Sequence, residues 1–401
     1  MKTFRQFAAA LLVLSAALCA VAQERSEGER RIFREGNSWI EEVTGTLPAA
    51  RNVRVETDMG SVRVHGATQQ NITYVVRKRV YQHGEDAARR ELENFRISGT
   101  RQGDTAVLQG EWNNRGSRRA GADFNITVPQ NLELVKVETR GGSVDVNNIA
   151  GRADAETAGG SIQLDNIGGA VAADTAGGSI SVGTAGGETR LKTAGGSIQV
   201  NTVNGRLTAA TYGGSVDVNI AKQAANIDTA GGSIHVRQTG GELRASTAGG
   251  NIEAGDIGGP ATLKTAGGSI RLNSARGPVD ASTAGGGIQL TRVEGGVHAE
   301  TAAGGIVAEF VGAKMTDSYL ETTVGDVIVT VPSNLACTIR GGIEMASGHG
   351  IRSDFPELKI TTEGGEYGPK QVYVNGNLNG GGPTLKLRTN IGDIEIRRAS
   401  R

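Results

Sequence analysis

The chain has 401 residues, including 61 glycines, and aromatic residues make up only 4% of it. Its 42 basic and 42 acidic residues give a formal net charge of zero. This balance argues against nucleic acid as the main partner, because nucleic-acid-binding domains carry a basic surface. The scarcity of aromatic side chains argues against a thick globular core and favours a thin repeat architecture.

The N-terminus has the pattern of a secretory signal peptide. Lys2 and Arg5 precede an apolar stretch from Phe7 to Ala20, and residues 20–22 match a small-residue cleavage site. The apolar stretch is too short for a transmembrane helix, and we expect no transmembrane segment elsewhere in the chain. We therefore expect residues 1–22 to be removed and the mature chain to be exported to the periplasm, the cell surface or the surrounding medium.

Residues 23–138 are predicted to form N-terminal strands and a cap that contains one helix. Between about 84 and 96, Ala88, Leu92 and Phe95 recur at helical spacing. Elsewhere in this flank apolar residues alternate with polar ones, as they do in strands. The predicted strands include Val53/Val55, Val62/Val64, Ile72/Tyr74/Val76 and Phe124/Ile126/Val128. A cap is needed because the end of a solenoid exposes an unpaired strand edge.

An 18-residue repeat fills residues 139–310. Threonine recurs at this interval, at Thr139, Thr157, Thr175, Thr193, Thr211, Thr229, Thr247, Thr265, Thr283 and Thr301. A fixed period of this kind predicts a solenoid, in which each repeat is one coil stacked on the previous coil. Two short runs of alternating apolar residues in each repeat predict two strands per coil. The predicted fold is therefore all-β: a single elongated parallel β-solenoid, resembling a β-helix, with one short helix in its N-terminal flank.

The predicted core consists of three ladders of apolar residues spaced 18 apart. Two ladders are rich in β-branched residues, which fit a buried pleated surface, and the third is richer in alanine. The first ladder contains Val144, Ile162, Ile180, Ile198, Val216, Ile234, Ile252, Ile270, Ile288 and Ile306. The second contains Val146, Leu164, Val182, Val200, Val218, Val236, Ala254, Leu272, Leu290 and Ala308. The third contains Ala155, Ala173, Leu191, Ala209, Ile227, Ala245, Leu263, Ala281 and Ala299. Bulky isoleucines that face small alanines predict a thin core.

Glycine pairs such as Gly159-Gly160 and Gly168-Gly169 mark the corners of each coil. We attribute these pairs to the ability of glycine to adopt a positive φ at little steric cost. Thr175 has the same parity as the inward-facing Val171 and Ala173, so its hydroxyl is expected to bond to the backbone of a glycine corner. This position argues against ice binding, which needs rows of threonine hydroxyls that face water.

Residues 311–401 are predicted to form C-terminal strands and a second cap. Val329–Leu335 echoes Ile126–Leu132, and both Thr57–Val62 and Thr389–Ile394 look like single coils of the central type. Once residues 1–22 are removed, Cys337 is the only cysteine, so no intramolecular disulfide is expected. Stability must therefore come from the stacking of the coils.

Three features together resemble the bacterial DUF4097-type family of "putative adhesin" proteins. They are T-x-x-G-[SD]-[IV]-x-[IV] coils, a V-P-x-N-L segment and a closing run. The closing run consists of Ser353–Pro356 (S-D-F-P) and Gly380–Arg397 (G-G-G-P-x-L-x-L-R-T-x-x-G-D-I-x-I-R). The resemblance covers about residues 45–400, and the closing run is its most specific part. It implies an exported β-strand repeat protein and carries over no catalytic residue.

Motifs for metal binding and catalysis do not match the repeats. Calcium-binding nonapeptides need aspartate at the sixth position from the glycine pair, where this chain has Leu164 and Val182. The histidines are His65, His83, His235, His298 and His349, and their spacing fits no metal site. The scattered carboxylates Asp154, Glu156, Asp174 and Asp280 are interpreted as solvated strand faces. We therefore assign no catalytic, metal-binding or cofactor-binding residue and expect no cofactor.

These features favour an exported, non-enzymatic surface module, adhesin-like or structural, that binds a cell-envelope or extracellular polymer, or a protein, through its repeat wall. One alternative is a carbohydrate-active β-solenoid enzyme, which requires three or more acidic or basic side chains to meet in one concave place. Another is a periplasmic envelope-stress or sensor accessory protein whose caps bind the partner. Loss of central coils weakens an adhesive wall but leaves cap binding intact.

Overall fold

The computed structural model describes residues 29–113, 120–312, 315–364 and 369–399. The predicted signal peptide, residues 1–22, lies outside these ranges. Two long sheets face each other across a thin apolar core, and one helix, α1 (Glu85–Leu92), packs at the N-terminal end. The predicted all-β, elongated parallel solenoid is confirmed. No helix in the described part of the chain is long and apolar enough to cross a membrane.

Sheet A takes one strand from each coil. Its strands are numbered in chain order, and their spatial order is β1 (Glu29–Glu35), β2 (Ser38–Leu47), β5 (Ile72–Val80), β8 (Gly121–Pro129), β4 (Val62–Ala67), β10 (Val144–Ile149), β12 (Ile162–Ile167), β14 (Ile180–Ala185), β16 (Ile198–Val203), β18 (Val216–Ala221), β20 (Ile234–Thr239), β22 (Ile252–Ile257), β24 (Ile270–Ala275), β26 (Ile288–Val293), β28 (Ile306–Phe310), β30 (Val327–Val331), β36 (Ile394–Arg398) and β32 (Ile351–Ser353).

Sheet B takes the other strand of each coil. In spatial order its strands are β6 (Phe95–Gln102), β7 (Thr105–Trp112), β3 (Asn52–Thr57), β9 (Leu134–Thr139), β11 (Arg152–Thr157), β13 (Val171–Thr175), β15 (Thr189–Thr193), β17 (Leu207–Thr211), β19 (Ala225–Thr229), β21 (Leu243–Thr247), β23 (Ala261–Thr265), β25 (Val279–Thr283), β27 (Val297–Ala303), β29 (Ser318–Val324), β35 (Thr384–Ile391), β31 (Cys337–Ile343), β34 (Gln371–Leu378) and β33 (Lys359–Glu363). Among the described residues, the parallel part of sheet A runs from β8 to β32, and that of sheet B runs from β7 to β31. At about 4.8 Å per strand, this parallel stack is roughly 65–70 Å long.

Adjacent central coils are in register at the predicted interval of 18 residues. Ile162 pairs with Ile180 in sheet A, and Ala173 pairs with Leu191 in sheet B. Every member of the three predicted ladders is 5% exposed or less. These side chains form one continuous apolar core, which each coil extends. Full burial of one such aliphatic side chain stabilises a fold by about 1.5–3 kcal/mol.

The threonine hydroxyls bridge backbone groups at the corners, as predicted. Thr193 Oγ1 donates to the carbonyl oxygen of Gly178 at 2.8 Å and accepts from the amide of Gly196 at 3.2 Å. The same two bonds recur at Thr157, Thr175, Thr211, Thr229, Thr247, Thr265 and Thr283. Each buried hydroxyl thus ties one coil to the preceding coil.

The corner glycines are required for a different reason from the one expected. None of the glycines from 141 to 296, all of which the structure describes, has a φ in the left-handed region. A Cβ on Gly196 would lie 2.1 Å from the carbonyl oxygen of Gly178, whereas a Cβ on Gly195 would meet nothing closer than 3.3 Å. The close approach of successive coils, rather than a positive φ, therefore excludes a side chain at the second glycine of this pair.

At both ends the order of coils in the stack differs from their order in the chain. Thr57–Val62 lies directly against Thr139–Val144, and the intervening chain adds one more parallel coil, made of β7 and β8, beyond β3 and β4. Thr389–Ile394 likewise lies between the β29–β30 coil and the β31–β32 coil. Both segments are coils of the central type, as predicted.

Antiparallel strands terminate the parallel stack, except in sheet A at its C-terminal end, where the short parallel strand β32 is last. At the N-terminal end these are β5, β2 and β1 in sheet A and β6 in sheet B, and α1 packs Ala88 and Leu92 against Val80 of β5. The helix is shorter than predicted because Phe95 begins β6, where its ring lies 5.2 Å from that of Trp112. At the C-terminal end β34 and β33 are antiparallel.

Candidate binding surfaces

The outer surface of sheet A, which we call face A, is a mostly polar wall. Alternate residues of each strand point outwards, so each outward position recurs at every coil. One such column contains Asp145, Gln163, Ser181, Gln199, Asp217, His235, Glu253, Arg271 and Gln289. In this column Glu253 lies 3.4 Å from His235 and 3.9 Å from Arg271. Charged neighbours at these positions are complementary, which favours a solvated, stable wall.

The outer surface of sheet B, which we call face B, carries a run of four stacked carboxylates near its N-terminal end. Glu56, Glu138, Glu156 and Asp174 are in register on β3, β9, β11 and β13, and Lys192 follows them. Strands are about 4.8 Å apart, and like charges on neighbouring strands repel. The run is therefore a local concentration of negative charge in a chain with zero net charge.

These carboxylates line a shallow groove of about 700 Å³ at the corner that follows the sheet B strands. We call it the acidic groove. Asp58, Glu111 and Arg140 also line it, and Arg140 lies 3.2 Å from Asp58. Glu156 and Asp174 form no ion pair with any described residue. The groove therefore keeps uncompensated negative charge on its central-coil side.

Glu138 is held in its ionised form. Lys136 Nζ lies 2.5 Å from one of its carboxylate oxygens, and Arg54 Nη2 lies 3.2 Å from the other. The hydrogen bond from Lys136 contributes most to a pKa of Glu138 below its usual range, and Arg54 acts in the same direction. A general acid for glycoside cleavage needs a raised pKa. This carboxylate is therefore already paired with two cationic side chains and is not suited to donating a proton.

The structure places the predicted candidate residues in separate surroundings. Leu164 and Val182, at the position that calcium repeats give to aspartate, are buried in the core. His298 lies 3.1 Å from Glu300. The contacts of the other histidines differ: His65 contacts Asn147, His235 is near Glu253, and His349 is 3.4 Å from Asp393. Across the described ranges, no group of three or more His, Cys, Asp or Glu side chains is arranged to hold a metal ion.

The carboxylates singled out in the sequence have two different environments. Glu156 and Asp174 meet in the acidic groove, whereas Asp154 and Asp280 each form an ion pair with a nearby basic residue, at 2.6 and 3.3 Å. All four lie on the outer faces of strands, and Glu156 and Asp174 are exposed, but these two are neighbours rather than scattered.

Sequence reasoning missed Glu56 and Glu138 as members of the acidic run. These residues become neighbours only because the chain between β4 and β9 packs on the far side of β3 and β4, which leaves β9 to pair with β3. The available signal was Thr57–Val62, whose coil-like pattern has the same register as Thr139–Val144. Aligning those two segments places Glu56 next to Glu138.

Comparison with known proteins gives only remote likenesses. No protein-family model and no curated protein matches the chain. A "putative cell adhesion protein" from Clostridium sporogenes is 9% identical, with 90% of this chain and 100% of that chain covered and a TM-score of 0.19. A "putative adhesin" from Parabacteroides distasonis is 11% identical, with 70% and 96% covered and a TM-score of 0.27. Another from Bacteroides fragilis is 11% identical, with 89% and 97% covered and a TM-score of 0.17. At these TM-scores the superpositions carry no argument about function.

Proposed function

We propose that the mature protein is an exported, non-enzymatic surface module that binds a cell-envelope or extracellular polymer, or a protein, through the outer faces of its repeats. In this proposal residues 139–310 form the binding wall, and the flanks 23–138 and 311–401 cap it. The observation that carries the proposal is the in-register stacking of the coils, which presents each outward position again about 4.8 Å further along.

Such a wall suits a ligand that is itself repetitive. One polar contact on an open face is weak, but contacts at successive coils add avidity when the spacing of the ligand allows them to form together. The threonine hydroxyls are engaged inside the corners, so the varied outward columns of faces A and B are the groups available for contact. A net charge of zero fits a ligand held by many hydrogen bonds rather than by bulk electrostatic attraction.

Deletion of residues 175–246 tests the wall directly. The deletion removes four whole coils and joins Asp174 to Thr247, which preserves the register of the stack. Binding to cell-envelope polymers and to a glycan array is expected to weaken in the shortened protein, with circular dichroism and thermal unfolding as controls for its fold. Unchanged binding would contradict a role for the wall and point to the caps. Failure of the intact protein to retain any envelope component would contradict the binding function.

A carbohydrate-active enzyme is the second candidate, because the acidic groove brings several carboxylates into one concave place. The lowered pKa of Glu138 weighs against acid catalysis there. Release of reducing ends from neutral and acidic polysaccharides would favour this candidate if both Glu138→Gln and Glu156→Gln abolish it. An intact protein that releases none, while still binding envelope polymers, would favour the surface module.

A further inference from the structure

A second groove lies where the 18-residue register of face B is broken, and we call it the C-terminal groove. Between β27 and β29 the offset is 21 residues, because the chain inserts a short segment after β28. Thr316 and Asp317, at the end of this insertion, line a groove of about 440 Å³ whose other side includes Pro278 and Val297. The insertion gives the open face a wall.

Hydrogen bonds fix the end of that wall in place. Asp317 Oδ1 accepts from the amide of Thr384 at 2.7 Å. Ser318 Oγ accepts from the amide of Val297 at 3.0 Å and donates to the carbonyl oxygen of Thr316 at 2.9 Å. These bonds tie the insertion to β27 on one side and to β35 on the other, so the groove is preformed.

One column of face B brings two rings and two cations together beside this groove. His298, Tyr319, Lys386 and Arg340 are in register on β27, β29, β35 and β31. The centroids of the two rings are 5.5 Å apart, with 27° between their planes, and Lys386 Nζ lies 5.1 Å from the Tyr319 centroid. The core lies on the opposite side of the sheet, so these rings are not needed to fill it.

The column carries positive charge that the described residues do not neutralise. Lys386 and Arg340 are exposed neighbours, and neither forms an ion pair with a described carboxylate. Like charges on adjacent strands repel. The nearby carboxylates are already engaged. Glu321 accepts from the tyrosine hydroxyl, and Glu300 contacts the imidazole. In the groove lining, Asp280 pairs with Lys264 and Asp317 accepts from the amide of Thr384. An anionic group placed against the two cations would remove this repulsion.

We propose that the C-terminal groove binds an acidic saccharide, a pyranose chain that carries carboxylates. The carboxylate is placed on Lys386, which lines the groove, and on its neighbour Arg340 just outside it, because charge-assisted hydrogen bonds are strong. The sugar ring lies across the outward edges of the stacked Tyr319 and His298 rings, and sugar hydroxyls reach Thr316 at the wall. This site does not rest on the repeat-wall proposal, because its residues lie beyond the coils that the deletion of 175–246 removes.

Calorimetric titration of the intact mature protein with trigalacturonate tests the site, and the fully methyl-esterified trimer is the matched neutral ligand. We expect saturable binding of the acid and at least about tenfold weaker binding of the ester. Lys386→Met keeps the aliphatic stem, removes the charge and should weaken binding of the acid by about tenfold or more. Lys222→Met, at an exposed corner of a central coil, is the control and should leave it unchanged.

Three results would overturn the proposal. They are equal affinity for the acid and its ester, equal binding by the Lys386→Met and Lys222→Met variants, and no binding of trigalacturonate at millimolar concentration. Tyr319→Leu provides a second variant, which should weaken binding of both ligands because it removes the ring from the sugar-binding side. If the shortened protein loses polymer binding but keeps its affinity for trigalacturonate, both proposals stand. If the trimer does not bind while polymer binding still depends on coil number, only the groove assignment fails.

Discussion

Thr193→Val tests whether the buried threonine hydroxyls hold successive coils together. Thr193 is 1% exposed, and its hydroxyl joins the carbonyl oxygen of Gly178, at 2.8 Å, to the amide of Gly196, at 3.2 Å. Valine keeps the volume of the side chain and removes both bonds. Because each such bond contributes about 1 kcal/mol net, we expect the free energy of unfolding to fall by about 2 kcal/mol.

Two further variants separate hydrogen bonding from packing. Thr193→Ser keeps the hydroxyl and loses one methyl group, so it should cost only about 1 kcal/mol. Thr208→Val, on the solvent side of the next coil, should change stability by less than about 0.5 kcal/mol. Urea unfolding followed by circular dichroism measures the effect, and amide exchange in the altered coil detects local opening of the stack. The reasoning is wrong if Thr193→Val is as stable as Thr193→Ser.

Three more predictions follow from the corners, the cysteine and one carboxylate. Gly196→Ala should lower the free energy of unfolding by about 1–3 kcal/mol in urea, because the new Cβ meets the backbone of the neighbouring coil. Gly195→Ala, the control, should be nearly neutral. Equal effects of the two substitutions would contradict the close-approach argument. Burial raises the pKa of the Cys337 thiol to about 11. In protein that lacks residues 1–22, a thiol reagent at about pH 8 should therefore label Cys337 only after unfolding. Rapid labelling of the native protein would show that the core around Cys337 is open. A hydrogen bond from the amide of Gly350 lowers the pKa of Asp393, so its stabilising effect is present above about pH 4 and is lost as the pH falls through the lower folded-state pKa. When the pH is lowered from about 5 to about 2.5, the free energy of unfolding should therefore fall less in the Asp393→Asn variant than in the unaltered protein. Identical decreases in the two proteins would refute this assignment.

The central coils could be predicted from the sequence because the information that specifies them is local. Parity within a strand decides which side chains face the core, and a constant period decides which residues of successive coils pair. Ile162 therefore had one consistent partner in each neighbouring coil, Val144 and Ile180, and parity alone could place the hydroxyl of Thr175 at the corner where it bonds. The reason for the glycine pairs was wrong because the close approach between coils is a property of the stack, which a single coil does not reveal.

The ends of the stack could not be ordered from local pattern alone. Thr57–Val62 matches the central coils in sequence, but many other coils match it equally well, so its partner depends on where the intervening chain folds. The acidic run was missed for this reason, since Glu56 and Glu138 are neighbours only after that choice is made. Phe95 shows the same limit: its spacing from Leu92 is helical, yet pairing with Trp112 takes it into β6. Non-local pairing overrode local propensity.

The two grooves occur where the repeat is interrupted, and this has a physical cause. Identical coils without insertions give each outward residue similar open surroundings, and a depression on them, such as the one of about 420 Å³ between Ser181 and Arg237, is bounded by strand residues alone. The acidic groove lies where β3 stacks against β9, and the C-terminal groove lies where β29 follows β27 with extra residues between them. At about 4.8 Å per strand the grooves are roughly 45 Å apart on face B.

The acidic run at one end and the adjacent cations Lys386 and Arg340 at the other give face B a direction along the stack. An anionic group that binds Lys386 at one end would be repelled by Glu156 at the other, because that carboxylate forms no ion pair with a described residue. We therefore expect a chain with one acidic and one basic end to bind face B in one orientation, since the reverse orientation places like charges together at both ends. The wall between the grooves supplies contacts that are similar in both directions, so direction is set by the interruptions rather than by the repeats.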